Sequence, residues 1–263
     1  MTYPQIDPVA IQLGPFAIHW YGLMYLAAFV GCGLLISRRA RRADLPLAPG
    51  LISDLINTGA LGVILGGRLG YMLFYDLQAW IHDPLKVLRI WDGGMSFHGG
   101  LIGVVLALVL FARKHNESMI RVGDLIAPTV PLGLMFGRIG NFIGGELWGR
   151  PTDSPLGMIF PHVDEQLRHP SQLYQAAGEG LILFALCMWF ARKPRPAGQV
   201  AGVFLMGYAV FRSLAEFARE PDAHIGVLSI GLTMGQLLSV PMFLAGIVIF
   251  AKGPGWAKGL AVR

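Results

Sequence analysis

Residues 51–75 read LISDLINTGALGVILGGRLGYMLFY, and that stretch decides the fold. An α-helix rises about 1.5 Å per residue, so about 20 apolar residues cross a hydrocarbon core roughly 30 Å thick. This run is long enough to do so. Working outward, runs at 16–37, 96–112, 122–142, 172–190, 200–217 and 232–251 have the same character. Together they predict an all-α polytopic membrane protein with about seven transmembrane helices. Composition agrees: with 54% hydrophobic and 14% charged residues and a mean hydropathy of +0.55, the chain has more apolar surface than a soluble domain can cover. The net charge of +5 points to no nucleic-acid partner, because membrane proteins accumulate Lys and Arg in cytoplasmic loops. Cys32 and Cys187 each lie inside an apolar run and read as small buried hydrophobes, not as a disulfide or a metal pair. The first run lacks the positive leading region of an export signal, since the first basic residue is Arg38, after the run; the segment is expected to stay in the mature protein.

Free basic residues set the orientation. Arg38, Arg39, Arg41 and Arg42 follow the first run; Arg113, Lys114 and Arg121 lie between the third and fourth; Arg192, Lys193 and Arg195 lie between the fifth and sixth; Lys252, Lys258 and Arg263 follow the last. These are alternate connections. The positive-inside rule then makes the N-terminus periplasmic and the C-terminus cytoplasmic, leaving 76–95, 144–171 and 218–231 outside. Residues 1–263 are read as one integral membrane domain, in which the insertion 144–171 forms a small periplasmic head. Gly62, Gly66 and Gly70, and likewise Gly133 and Gly137, stand at helical spacing and predict close helix packing.

Ionisable groups inside a span need a reason, since an arginine at mid-bilayer costs at least about 2.5 kcal/mol. Arg68, Arg138, Arg212, Glu179 and Glu216 are such groups. In the orientation above, the three arginines fall in the outer half of the membrane, at the depth of His98 and Tyr21. Any one of them alone reads as readily as an interfacial snorkel or an interhelical salt bridge as it does as a functional group. As a set they predict a pocket at headgroup depth. Arg212 and Glu216 are four apart and can pair, Tyr208 extends their stripe, and Glu179 reads as a counter-ion. Guanidinium forks suit the phosphate of an anionic lipid, and an imidazole titrates in the range needed to take a proton at neutral pH. There is no G-x-S-x-G, H-E-x-x-H, C-x-x-C or P-loop motif, and no Lys within a span to carry a retinal Schiff base. An anion or lipid transporter would instead place its site at the midplane, and a non-catalytic scaffold would use the charges only as salt bridges.

Several motifs stand in order along the chain: His19-Trp20-Tyr21-Gly22; Met95-Ser96-Phe97-His98-Gly99-Gly100-Leu101; Gly137-Arg138-Ile139-Gly140-Asn141-Phe142 continuing to Glu146-Leu147-Trp148-Gly149-Arg150; Arg168-His169-Pro170-Ser171-Gln172-Leu173-Tyr174; and Tyr208, Arg212, Glu216, Arg219 and Pro221-Asp222. In these the chain resembles the prolipoprotein diacylglyceryl transferase family, from about residue 7 to 249. The resemblance implies a multi-pass enzyme of the bacterial cytoplasmic (inner) membrane with its active site toward the periplasmic leaflet. Its partners would be phosphatidylglycerol and the signal-peptide region of a prolipoprotein, whose lipobox cysteine thiol accepts the diacylglyceryl group while glycerol 1-phosphate leaves. No metal and no cofactor are implied. The catalytic residues would be His98, Arg138 and Arg212, and lipid or substrate binding would fall to Arg138, Arg212, Arg68, Tyr21, Asn141, Glu146, Gly149, Tyr208 and Glu216. Glu146 is expected to hold an arginine in place, and His19, His162 and His169 to pack in loops or at the interface. One departure stands out: Gly144 occupies a position where the family commonly has a second asparagine, so amide chemistry is assigned to Asn141 alone.

Overall fold

Leu26, Val30 and Leu34 on one helix, and Leu61, Leu65 and Leu69 on the next, recur every fourth residue and are all exposed, while Arg68, Asp124, Glu179 and Glu216 are buried. That inversion of the soluble pattern is what lipid as solvent demands. The computed structural model describes residues 1–14, 16–42, 47–221 and 231–259, with the side chains of 258 and 259 excepted. Asp222, Arg263, most of the connection 218–231 and the Lys258 side chain therefore lie outside the described residues.

In chain order the elements are strands β1 (Val9–Leu13) and β2 (Phe16–His19), then helices α1 (Trp20–Arg39), α2 (Pro49–Phe74), α3 (Leu77–His82), α4 (Phe97–Lys114), α5 (Met119–Ile126) and α6 (Val130–Ile143). Strands β3 (Met158–Ile159) and β4 (Leu167–Arg168) follow, then α7 (Ser171–Gln175), a π segment (Ala176–Ile182), α8 (Leu183–Phe190), α9 (Gln199–Ala215) and α10 (Met234–Gly259). Among the described residues five helical stretches are long and apolar enough to cross a membrane, or six if α5 and α6 form one bent span, and α9 is a shorter apolar helix. The chain divides into two compact units, Met1–Ile36 with Gly123–Trp256, and Ser37–Val122 with Ala257 onward.

In the second unit α2 and α4 pack antiparallel, and the glycines of the opening stretch are the reason. A methyl on Gly66 would lie 2.4 Å from the Gly99 carbonyl oxygen, one on Gly103 2.1 Å from that of Gly62, and one on Gly70 2.7 Å from the Gly99 Cα. Backbone meets backbone along the seam, as small residues four apart allow. Ser96 starts α4: its Oγ accepts from the Gly99 amide at 3.2 Å, and its own amide donates to the Gly67 carbonyl at 2.9 Å, which ties the N-terminus of α4 to α2.

The first unit departs from the sequence reading in three places. The apolar run 16–37 is not one helix: Phe16–His19 pair with Val9–Leu13 across a turn at Gly14, whose φ is +59°, and the helix begins at Trp20. The run 122–142 is broken, its two halves bent by 49°; Pro128 lies in the break and Pro131 in the first turn of α6, and each lacks the amide that a continuous helix needs. A methyl on Gly133 or Gly137 would meet nothing within 4 Å, so these two glycines, unlike those of α2, seat no neighbouring backbone. Close packing in this unit lies elsewhere: a methyl on Gly202 of α9 would lie 2.8 Å from the Gly246 carbonyl of α10. The buried Asp124 caps α9 from α5, accepting from the amides of Gly198 at 2.6 Å and Ala201 at 2.8 Å.

The insertion 144–171 folds over the end of α6. Strands β3 and β4 pair antiparallel, Thr2 bridges Ile159, and Tyr3 stacks on the fully buried Phe160 while its hydroxyl donates to the Phe142 and Ile143 carbonyls at 2.8 Å. His162 packs edge-on to Tyr3 and Trp148. Arg168 fastens the insertion, reaching Asp164 at 2.6 Å, the Gly149 carbonyl at 3.1 Å and Glu220 at 3.2 Å.

Two tests follow from this packing. Gly103→Ala should destabilise the protein by about 1–3 kcal/mol through overpacking, whereas Gly133→Ala should be neutral or gain up to about 1 kcal/mol from reduced unfolded-chain entropy; thermal unfolding in detergent compares them. The Arg168 guanidinium holds the Asp164 carboxyl below the usual carboxylate range. A depressed acid stabilises the fold above its unfolded pKa and loses that contribution as pH falls through the folded value. Amide protection across 149–168, taken relative to the intrinsic exchange rate at each pH, should thus fall on acidification, and in Asp164→Asn it should be low already at neutral pH.

Candidate active site

Two amides and one carboxylate interrupt the largely apolar stretch that begins at Ser171. Gln172, Gln175 and Glu179 stand at i, i+3 and i+7, so one helical face carries all of them, and all three are fully buried. The upper two anchor the stretch to the insertion or to itself: Gln172 Nε2 donates to the Glu146 carbonyl at 2.7 Å, Ser171 Oγ to that of Leu147 at 2.9 Å, and Gln175 Nε2 to that of Ser171 at 3.1 Å. Glu179 lies in the π segment, a widened turn that recurs at functional sites.

Around Glu179 two arginines converge from separate helices. Arg138 Nη2 of α6 lies 3.7 Å from Glu179 Oε2, and Arg212 Nη1 of α9 lies 3.6 Å from Oε1. Neither carboxylate oxygen has a hydrogen-bond partner. Arg212 is further held by Gln175 Oε1, which accepts from Nη1 at 3.2 Å, and by a close pair with Glu216 one turn on. The first turn of α10 seats on that pair: a methyl on Gly235 would lie 2.6 Å from Glu216 Oε1 and 3.0 Å from Arg212 Nη2. Arg138 is different. Among the described residues its polar partner is Glu179 alone, so its guanidinium donors remain open to an anion.

Other expected residues join this cluster. Asn141, one turn beyond Arg138, donates to Glu146 Oε1 at 2.8 Å; among the described residues Glu146 is seen to hold Asn141 where an arginine was expected. Tyr21 of α1 packs on Gly140, its ring 3.1 Å from where a methyl would stand, and its hydroxyl meets that of Tyr25 at 3.2 Å. Both Glu146 and Arg138 act on Tyr21 electrostatically. Tyr208 sits one turn before Arg212 on α9, in the field of Glu179, Arg212 and Arg138. Gly144 ends α6, its amide donating to the Gly140 carbonyl at 2.9 Å.

Gly149 serves the backbone: its amide donates to the His169 carbonyl at 2.8 Å, and a methyl there would lie 2.4 Å from the Ala218 carbonyl oxygen and 2.5 Å from that of His169. His98 and Arg68 belong to the other unit. His98 is exposed in the first turn of α4, edge-on to Phe97. Arg68 was expected to bind lipid, but its five N–H groups are all committed to the chain: Nε donates to the Val87 carbonyl at 3.1 Å, Nη2 to those of Lys86 at 2.6 Å and Arg89 at 2.8 Å, and Nη1 to those of Gly94 at 3.1 Å and Gly93. A guanidinium has no sixth donor for a phosphate. In the opposite sense, sequence reasoning left Gln175 out and gave Glu179 only a counter-ion's part, although their shared face was visible in the spacing.

Against known proteins, the family model described as prolipoprotein diacylglyceryl transferase matches residues 8–252. A phosphatidylglycerol–prolipoprotein diacylglyceryl transferase of Legionella pneumophila strain Paris is 56% identical over 259 residues, covering 98% of this chain and 99% of its own length. Proteins of the same name are 57% identical over 252 residues in Bordetella avium, covering 95% of this chain and 96% of their own, and 52% identical over 253 residues in Methylococcus capsulatus, covering 95% and 97%. With a family match over residues 8–252 and relatives more than half identical along nearly the whole chain, this chain belongs to the prolipoprotein diacylglyceryl transferase family.

Proposed function

We propose that this chain transfers the diacylglyceryl group of phosphatidylglycerol to the lipobox cysteine thiol of a prolipoprotein, at the periplasmic leaflet of the bacterial cytoplasmic membrane. The observation that carries the proposal is the Arg138–Glu179–Arg212 cluster, with the donors of Arg138 uncommitted in a chain of this family. In the proposed topology α9, roughly 26 Å long by its residue count, is a seventh span beside the five long helices and the bent α5–α6 pair. The alternating basic connections then put the N-terminus and the insertion 144–171 outside.

The chemistry is a displacement at carbon. The substrate thiol, with a free pKa of about 8.5, is mostly protonated at neutral pH. We assign its proton to His98 on the family motif. The thiolate attacks the glyceryl carbon attached to the phosphate oxygen; the C–S bond forms as the C–O bond breaks, and the electron pair leaves on glycerol 1-phosphate. Arg138, with open donors, receives the phosphodiester. Arg212, held from three sides, is the fixed charge that meets the growing negative charge on the leaving phosphate, and a guanidinium in a partly dry pocket acts more strongly than one in water. Asn141, Glu146, Tyr21, Tyr208 and Glu216 are assigned to binding or bracing the substrate around the same cluster.

Purified protein given phosphatidylglycerol and a lipobox peptide should yield the thioether peptide and free glycerol 1-phosphate in equal amounts; their absence from folded protein would refute the activity. Arg212→Ala should lower turnover by about 100- to 1000-fold, the usual loss for one charge-stabilising donor. His98→Gln should abolish the acidic limb of the pH–rate profile, and an unchanged profile would remove the imidazole from proton transfer.

A further inference from the structure

We propose that Glu179 is a positioning residue that sets the gap between Arg138 and Arg212 and keeps the pair from trapping the departing phosphate. The inference rests on the reading of those arginines as the phosphate site.

The local structure is built to place this carboxylate. Glu179 is flanked by glycines, and each touches one of the arginine-bearing helices: a methyl on Gly178 would lie 3.1 Å from Phe211 of α9, and one on Gly180 would lie 2.6 Å from the Met135 Cβ of α6. The segment Gly178-Glu179-Gly180 is thus seated between α6 and α9, with no room for a side chain at Gly180 and little at Gly178. The π turn holds the carboxylate there, fully buried. Burying an unpaired charge is costly, and buried carboxylates normally accept hydrogen bonds. Glu179 accepts none, yet it faces a guanidinium on each side at 3.6 and 3.7 Å. That separation keeps the attraction while Glu179 itself claims none of their N–H groups.

Charge balance gives the arrangement its use. Arg138 and Arg212 face Glu179 and Glu216, and Arg219 also acts on Glu179, so the two carboxylates offset much of the local positive charge before lipid arrives. A phosphodiester carries one negative charge, whereas the glycerol phosphate that leaves bears up to two. Two arginines without a resident anion would therefore hold product more tightly than substrate. The Glu179 carboxylate weakens both grips and the product's more, and it holds the two guanidiniums at a spacing fit for one phosphate.

The test compares wild type with Glu179→Gln and Glu179→Asp, in phosphatidylglycerol mixed micelles with a lipobox peptide and added glycerol 1-phosphate. Glu179→Gln should lower kcat by on the order of 100-fold, the cost of a misplaced catalytic group. It should also lower the inhibition constant of glycerol 1-phosphate by about tenfold as the competing charge is lost. A residue important only for folding would weaken inhibition along with turnover. Wild-type kcat in folded Glu179→Gln, or inhibition that is unchanged or weaker, overturns the proposal. If Glu179→Gln lacks a cooperative unfolding transition, Glu179→Asp decides: lower kcat with inhibition near wild type supports it, and wild-type kcat overturns it. If wild type forms no thioether, the transferase reading fails by itself, and direct binding of glycerol 1-phosphate to the same variants still judges Glu179: tighter binding to Glu179→Gln supports the role, and equal or weaker binding overturns it.

Discussion

Hydrocarbon offers no hydrogen bonds, so each polar group that this chain carries among its lipid-facing leucines must find its partner within the protein. The structure meets that constraint in three ways. Arg68 is wrapped by five backbone carbonyls, and the loop between α2 and α4 is shaped around it. Asp124 is met by the free amides at the start of α9, where an unfinished helix end supplies donors. Arg138 and Arg212 are met by Glu179, but loosely. The first two are closed, satisfied arrangements and hold the fold; the third is incompletely satisfied, and that is where chemistry fits.

The two arginines differ in how firmly they are held. Arg212 is fixed by Gln175, Glu216 and Glu179, with α10 seated against it. Arg138 is steadied by one distant carboxylate. A rigid charge next to an adaptable one would suit the proposed site, which has to admit a headgroup and then stabilise it as bonds change, because preorganisation matters most where charge develops.

Much of this was legible before any coordinates. Hydropathy marks the spans because bilayer thickness fixes their length, and Gly62, Gly66 and Gly70 announce the α2–α4 seam. Residues 16–19 misled because strand and helix share an apolar composition; only the pairing with 9–13 separates them. Pro128 and Pro131 carried the break in plain view. Gly133 and Gly137 show the limit of spacing arguments, since a small-residue pair permits close approach without supplying a partner. Arg68 shows another: depth alone cannot tell a ligand-binding arginine from one claimed by its own loop. Glu179 was underrated because its importance lies in a widened turn, and hydropathy does not register turn width.

That widened turn has a bearing on how the family can vary. A π turn amounts to an α turn with one residue added, and each residue of an ordinary helix turns its side chain by about 100°. Losing one alanine between Gln175 and Glu179 would barely alter the length or greasiness of the segment, yet it would change the spacing that sets Glu179 against Gln172 and Gln175. Among descendants of this sequence, the exact count of residues in an unremarkable stretch of membrane helix is itself under chemical constraint.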